Sequence, residues 1–324
     1  MTLARQLVKT WKKFIMHGKI LLTGGLGNLG SWVTVSLCEA GYDVYVLTRK
    51  ENQRIKNCKY HVIEADITNL EDLSKKLSES FDYCIHMASY NEFFEVDYAK
   101  QALKINALGT RNLLEVLVQN NIKKFIYLST IHVYGKVEGI VNENDALCPQ
   151  NDYATTHLFA EYYVKQFGET HQLDYTILRL SNSYGAPKFY KSSKWYLVLN
   201  DLVKSVYETQ SIVLKTNGNG SRDFIWMGDV VEVLQKLLNC DCQGVYNLSS
   251  MKNYKIIEIA QMVQFEYEKR YTQKVDIIIN NKDTMIYKNM FIDNTKLQNK
   301  INFRIHQCFS KEIHNIFDLL EGKE

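Results

Sequence analysis

Gly25, Gly27 and Gly30, in the run Thr23-Gly24-Gly25-Leu26-Gly27-Asn28-Leu29-Gly30, have a spacing that bears on phosphate chemistry. Gly-x-Gly-x-x-Gly removes the Cβ where a tight turn, close backbone approach to a pyrophosphate and close helix–strand contact each exclude a side chain. A helix opening at such a turn offers unpaired N–H groups and a partial positive charge to the phosphates. The spacing therefore points to a dinucleotide, with Gly24, Gly27, Asn28 and Leu29 as its binding residues. Further on, Arg49 and Lys50 follow Thr48 directly. Dinucleotide sites often carry an acid at this place for the adenosine ribose 2′-hydroxyl, whereas a cation there accommodates a 2′-phosphate. With the acid missing and Arg49 in place, the reading inclines to NADP(H) over NAD(H).

The elements that must position these residues follow from local pattern. Lys19–Thr23 is a short apolar strand, Ser31–Ala40 a helix closed by Gly41, and Asp43–Thr48 a second strand. Together they form one βαβ unit of about thirty residues. Tyr60–Asp66 reads as a third strand whose terminal Asp66, followed by Ile67, reaches toward the adenine. Leu70–Leu77 is helical by spacing, and Phe81–Ala88 is a fourth strand. Ala88 and Ser89 then fall at the carboxyl edge of the sheet, where doubly wound folds bind ligands. His86, at that strand's end, reads as a core histidine. Tyr98–Asn120 is a long helical stretch, and Lys123–Thr130 a fifth strand ending in two hydroxyls. Strands and helices alternating in this way imply an α/β fold, a Rossmann-type doubly wound parallel sheet covered on both faces. The dinucleotide-binding domain spans 18–182, with returns near 224–230 and 244–249. From Ser183 the alternation breaks down, so 183–223 and 250–324 make a smaller, interleaved C-terminal substrate lobe.

Composition narrows the class. A chain of 324 residues suggests about two lobes. Hydrophobic content of 46% and charged content of 23% suit a soluble globular protein, and a net charge of +3 gives no reason to expect nucleic acid. Seven cysteines lack metal-ligand spacing, and the one close pair, Cys240-Asp241-Cys242, has no second pair or nearby His to complete a zinc site. No metal is expected, and a reduced, cytoplasmic setting is the simplest account. Residues 1–17 stand apart: Leu3, Leu7, Val8, Trp11, Phe14 and Ile15 share one helical face among Arg5, Lys9, Lys12 and Lys13. Such a basic amphipathic extension can touch an anionic membrane surface. Packing on the body, or an extension ahead of Met16, is the reading preferred over that contact.

From about residue 18 to 320 the chain resembles the extended short-chain dehydrogenase/reductases, specifically the nucleotide-sugar epimerase/dehydratase/reductase group. The motifs that carry the resemblance come in order: the glycine run, Asp66-Ile67, Ile85-His86-Met87-Ala88, Asn106 with Gly109-Thr110, and Ser129-Thr130-x-x-Val133-Tyr134-Gly135. Tyr153 with Glu161, Leu178-Arg179-x-x-Asn182-x-Tyr184-Gly185, Arg222-Asp223-Phe224 with Asp229-Val230, and Gly244-Val245-Tyr246-Asn247 continue it. The resemblance implies an NAD(P)-dependent enzyme acting on a nucleotide-diphosphate sugar. It also implies a homodimer paired through the helices around 98–119 and 154–167. In this group a Tyr acts as acid/base at a sugar oxygen, a Ser or Thr hydrogen-bonds that oxygen, and a Lys four residues after the Tyr holds the nicotinamide ribose. Tyr153 and Thr130 match the first two roles. The third position is His157, the chief departure.

A phenol of pKa ~10 does acid/base work near neutrality only when its pKa is lowered, and a cation one helical turn away lowers it. A neutral imidazole still hydrogen-bonds a ribose hydroxyl but brings no fixed charge. The loss weakens acid/base catalysis by about tenfold to a hundredfold. Literal Tyr-x-x-x-Lys strings at Tyr184–Lys188 and Tyr190–Lys194 fall after the sixth strand, in the wrong part of the fold. Dehydratases of the group place an Asp-Glu pair after the Thr, and its decarboxylases an acid at the second of these places. Here the pair is Ile131-His132, so 4,6-dehydration and decarboxylation are disfavoured. Hydride chemistry at C4 remains: reduction of a 4-ketosugar or oxidation to one as the main expectation, 4-epimerisation as the alternative. A catalytically silent NAD(P)-binding sensor or scaffold is the reading of another class, motivated by His157. Asn182 and Arg222 match positions that contact the nucleotide diphosphate, for which a guanidinium offers fixed charge and paired donors.

Overall fold

The computed structural model describes residues 18–51, 53–56, 58–91, 95–190, 194–285 and 289–322. The basic stretch 1–17, and with it the question of membrane contact, lies outside them. Among the described residues no helix is long and apolar enough to cross a membrane.

In chain order the strands are β1 (Lys19–Thr23), β2 (Asp43–Thr48), β3 (His61–Glu64), β4 (Tyr83–His86), β5 (Lys124–Thr130), β6 (Gly139–Val141), β7 (Asp174–Leu180), β8 (Asn182–Tyr184), β9 (Ser211–Val213), β10 (Ser221–Trp226), β11 (Gly244–Leu248), β12 (Asn253–Lys255), β13 (Asp276–Ile278) and β14 (Met290–Ile292). The helices are α1 (Asn28–Glu39), α2 (Leu70–Lys76), α3 (Tyr98–Ala102), α4 (Thr110–Gln119), α5 (Asp152–His171), α6 (Val198–Thr209), α7 (Met227–Leu238), α8 (Ile256–Tyr271), α9 (Thr295–Gln298) and α10 (Phe309–Leu320). Seven strands form one sheet in the order β11-β7-β5-β4-β1-β2-β3. β1 runs parallel to both β2 and β4, β2 to β3, and β4 to β5. This is the expected α/β Rossmann-type sheet. Its order reverses at β1/β4, the switch point where such sheets bind ligands beyond their carboxyl ends. Every residue of β5 is buried, as a strand covered on both faces requires.

The stretch around 98–119 is helical throughout, as expected, with a π-helical segment, Leu103–Gly109, joining α3 to α4. Side chains are taken up on its inner side. Asn106 accepts from the Tyr90 N–H at 2.7 Å and donates to Thr156 Oγ1 at 3.0 Å, while Thr110 Oγ1 donates to the Asn106 carbonyl at 2.6 Å. Gly109 is pressed against Ile67, whose side chain lies 2.8 Å from where a Cβ would stand. Short π segments of this kind recur where a helix serves a functional site. The one close cysteine pair, Cys240 and Cys242, is disulfide-bonded.

The described chain forms two compact units. One runs to Leu128 and adds Thr155–Ile177 and Cys242–Gly244; the other comprises Ser129–Ala154, Leu178–Asp241 and the described chain from Val245 onward. In the first, Ile20, Leu21, Leu22, Val44, Val46, Ile85, Phe125 and Ile126 fill the sheet, and Leu37, Leu113 and Leu117 cover it from helices. In the second, β10 lies parallel to β8 and antiparallel to β12. Its core joins Leu199, Leu202, Val203 and Val206 of α6 to Ile259 and Val263 of α8 and Ile313, Ile316 and Phe317 of α10.

Candidate functional site

The first unit builds a cradle from the β1–α1 turn. Gly24 adopts a φ of +69°, and a Cβ on it would stand 2.8 Å from the Ala88 nitrogen. A Cβ on Gly30 would stand 1.9 Å from the Gly24 carbonyl oxygen, so no other residue fits. The Gly27 N–H donates to that same oxygen at 2.9 Å and closes the turn. No acidic side chain occupies the first turn of α1, which leaves its N-terminal field open to an anion. Asn28, at the helix start, carries side-chain oxygen and nitrogen atoms that are shielded from solvent and have no hydrogen-bond partner. Buried polar atoms without partners are costly and rare. The turn thus has the form and the unmet polar capacity that a dinucleotide's pyrophosphate would fill, with Gly24, Gly27, Asn28 and Leu29 around it.

Ala88, Asp66 with Ile67, and Arg49 with Lys50 each follow a strand of the same sheet. Ala88 follows β4 and touches the glycine turn through its backbone. Asp66 follows β3 and accepts from the Thr68 N–H at 2.9 Å, and Ile67 is buried against Gly109. Arg49 and Lys50, beyond β2, are exposed. His86 is a core residue, as expected: its Nδ1 meets Thr23 Oγ1 at 2.5 Å and its Nε2 meets Thr110 Oγ1 at 2.8 Å. Burial pushes its imidazole down to about 3, so it is neutral near pH 7.

His157, on α5, belongs to the same unit. It is 3% exposed, with Nε2 3.1 Å from Ser89 Oγ and Nδ1 2.6 Å from the Tyr127 hydroxyl. Ser89 was legible as a sheet-edge residue. Tyr127 was missed, although a phenol within a wholly buried strand must find a polar partner and could have been flagged for that reason.

The second unit assembles Thr130, His132 and Tyr153. Thr130 ends β5 in an extended conformation and caps a short 3-10 turn, Ile131–Tyr134, its Oγ1 accepting from the His132 N–H at 3.2 Å. Tyr153 lies in the first turn of α5, where Asn151 Oδ1 accepts the Ala154 N–H at 2.8 Å and fixes the helix start. The His132 ring stands edge-on to the Tyr153 ring, centroids 6.2 Å apart. His132 is exposed, yet desolvation by the protein packed around its ring lowers its pKa. The Arg222 charge adds to the effect, and the imidazole is neutral at pH 7. The turn is braced from behind. Arg179 Nη1 donates to the Tyr134 hydroxyl at 2.9 Å, and that hydroxyl donates to Asn247 Oδ1 at 2.7 Å. A Cβ on Gly135, whose φ is +77°, would meet the Cys148 carbonyl at 2.0 Å.

Asn182 and Arg222 sit on neighbouring strands, Asn182 paired with Phe224 in the β8–β10 register. The Asn182 amide donates to the Asp223 carbonyl at 2.9 Å. Arg222 is exposed, and among the described residues it has no ion pair. The carboxylates nearest in sequence are engaged elsewhere. Asp223 accepts from Ser181 Oγ, from Ser250 N at 2.9 Å and Oγ at 2.8 Å, and from Lys252 N at 3.1 Å. Asp229 accepts from His306 N at 2.8 Å. The literal string at Tyr184 is structural, its hydroxyl accepting the Cys308 N–H at 2.8 Å.

Known proteins resemble this chain in sequence and in fold. A family model described as NAD dependent epimerase/dehydratase matches residues 20–249. A protein of Methanocaldococcus jannaschii described as a putative UDP-glucose 4-epimerase is 30% identical over 253 residues, 76% of this chain and 82% of that protein. A dTDP-D-glucose 4,6-dehydratase of Dictyostelium discoideum is 26% identical over 76% of this chain and 61% of its own length. Among solved structures, the UDP-N-acetylglucosamine 4-epimerase of Methanobrevibacter ruminantium in complex with UDP-N-acetylmuramic acid superposes with a TM-score of 0.82 at 23% identity. It covers 96% of this chain and 100% of that one. At that identity the likeness is one of fold.

Proposed function

Because the chain belongs to the NAD dependent epimerase/dehydratase family, within the extended short-chain dehydrogenase/reductases, we propose that it acts at C4 of a nucleotide-diphosphate sugar. The preferred outcome is 4-epimerisation, the activity in the names of two of the similar proteins. When bound, a nicotinamide dinucleotide supplies the hydride acceptor and donor; the chain's own side chains handle protons and position. Tyr153 takes the proton from the C4 hydroxyl and returns it, while Thr130 hydrogen-bonds the same oxygen. His157 presents Nε2 to a ribose hydroxyl of the dinucleotide, and Asn182 and Arg222 take the substrate diphosphate. The observation that carries this reading is the row Thr130–His132–Tyr153: a hydroxyl, a neutral imidazole and a phenol, with no carboxylate among them. That set suits proton exchange at one oxygen and lacks the acid–base pair that elimination of water at C6 requires.

A second reading, net reduction of a 4-ketosugar with NADP(H), draws on Arg49 and Lys50 beyond β2. One experiment separates the two. The purified protein is incubated with a panel of nucleotide sugars and 4-ketosugars while nicotinamide absorbance is followed and the product sugars are identified. An inverted C4 centre without net absorbance change supports epimerisation. Catalytic consumption of NADPH supports the reductase, and in that case Arg49→Ala should erode the preference for NADPH over NADH. Binding of dinucleotide with no turnover of any sugar would leave the silent sensor or scaffold. We also infer a homodimer through the 98–119 stretch and α5, where Leu103, Leu108, Phe159 and Tyr162 are exposed apolar side chains. Sedimentation at a dimer mass, shifted to monomer by Phe159→Glu, is the expected result.

A further inference from the structure

We propose that Tyr127 is the positioning residue of His157: its phenol O–H donates to Nδ1, so that Nε2 carries the ring's proton and is turned toward Ser89. The inference rests on the reading of His157 as the residue that holds the dinucleotide's ribose. It identifies what that residue needs in order to act there.

A lysine at such a place presents three rotatable donors, so any rotation of its head leaves one available. An imidazole behaves differently. When neutral it has one donor and one acceptor, and the partner of one nitrogen decides which role the other takes. A ring free to flip, or to carry its proton on Nδ1, would offer a ribose hydroxyl a lone pair instead of a donor for part of the time. The surroundings of His157 are built unequally on its two sides. Nδ1 faces Tyr127, which is 1% exposed, at 2.6 Å. Nε2 faces the exposed Ser89 at 3.1 Å. The two rings are also stacked, centroids 5.8 Å apart and planes within 26°, which limits rotation of the imidazole. The other histidine stacked on Tyr127, His86 at 5.5 Å, has both of its nitrogens engaged with Thr23 and Thr110. A buried phenol that merely satisfied its own hydroxyl would show the same short contact. The proposal therefore turns on what happens when the imidazole is no longer there.

The test uses the full chain in four forms: unchanged, Tyr127→Phe, His157→Lys and the double variant. Dissociation constants for NAD and NADP, turnover of the nucleotide sugar and thermal midpoints are measured for each. Tyr127→Phe should weaken dinucleotide binding and turnover by about tenfold where His157 is present. In the H157K background the same change should cost less than about twofold, since an ammonium needs no tautomer fixed. Equal losses in both backgrounds would show a structural role and overturn the proposal. A lysine at this buried position could prevent folding, so a second measurement stands by itself. Nitrogen-15 spectra of the histidines, with His157 identified by its loss in His157→Asn, should show Nε2–H and an acceptor Nδ1 in the unchanged protein. That preference should be lost in Tyr127→Phe. A proton on Nδ1 in the unchanged protein, or the same tautomer in both, sinks the idea. If the unchanged protein neither binds dinucleotide nor converts any nucleotide sugar, the functional reading has failed, and the tautomer result still decides the role of Tyr127.

Discussion

A phenol and a hydroxyl can manage the protons of a hydride exchange without help from a carboxylate, and the side chains described make this testable one at a time. Tyr153→Phe should lower turnover by about a hundredfold or more, with dinucleotide affinity within about twofold of the unchanged protein by fluorescence titration. Thr130→Val removes one hydrogen bond to the reacting oxygen and should cost about tenfold in kcat at similar KM. His157→Lys brings back a fixed charge one helical turn from Tyr153. Activity should hold or rise and the pH optimum should move; lower activity with an unchanged pH profile would count against a charge role at this position. His86 gives a prediction about stability. Its folded-state pKa of about 3 lies below the ordinary 6.5, so in that window the unfolded chain binds the extra proton. Stability from this group is whole above pH 6.5 and drains away as pH falls toward 3. Thermal midpoints should therefore decline over that range, and His86→Asn, which does not titrate there, should flatten the decline.

At the scale of elements, the β1–α1 turn was legible because its requirements are steric. A missing Cβ at Gly30 is visible in any sequence, and the 1.9 Å approach to the Gly24 carbonyl is what the absence serves. Gly30→Ala should abolish measurable dinucleotide binding and lower the thermal midpoint by several degrees, as calorimetry with and without NAD would show. The alternation of β1 to β5 with helices was legible for a similar reason, since a buried parallel strand must be apolar on both faces. The π-helical segment was not legible. Nothing in the periodicity of Leu103–Gly109 announces it, because its side-chain bonds run to Tyr90 and Thr156, remote in sequence. The pairing of Tyr127 with His157 was hidden in the same way: thirty positions separate residues whose partnership exists only once β5 and α5 are in place. Asp223 is a further instance. Its oxygens are taken by Ser181, Ser250 and Lys252, the nearest of them 27 positions away in sequence.

For the whole molecule, the second unit depends on helices far apart in the chain. Leu199, Leu202, Val203 and Val206 of α6 share a core with α8 and α10, and burial of each such side chain is worth about 1.5–3 kcal/mol. A chain ending at residue 250 would leave that face of α6 uncovered. It should be recovered as aggregate, or as a species without a cooperative thermal transition, when followed by light scattering and circular dichroism. A soluble, cooperatively melting product would show that α6 finds other cover.

Each unit is stitched from three separate stretches of chain, and this bears on how the polypeptide comes off the ribosome. The glycine turn emerges early, but Thr155–Ile177 and Cys242–Gly244, which complete the unit that holds it, are translated much later. The nascent chain must therefore wait, its early strands unfinished, until Gly244 has been added. A chaperone that shelters apolar segments would find its client in that interval, and slowing elongation after codon 128 should raise the fraction captured.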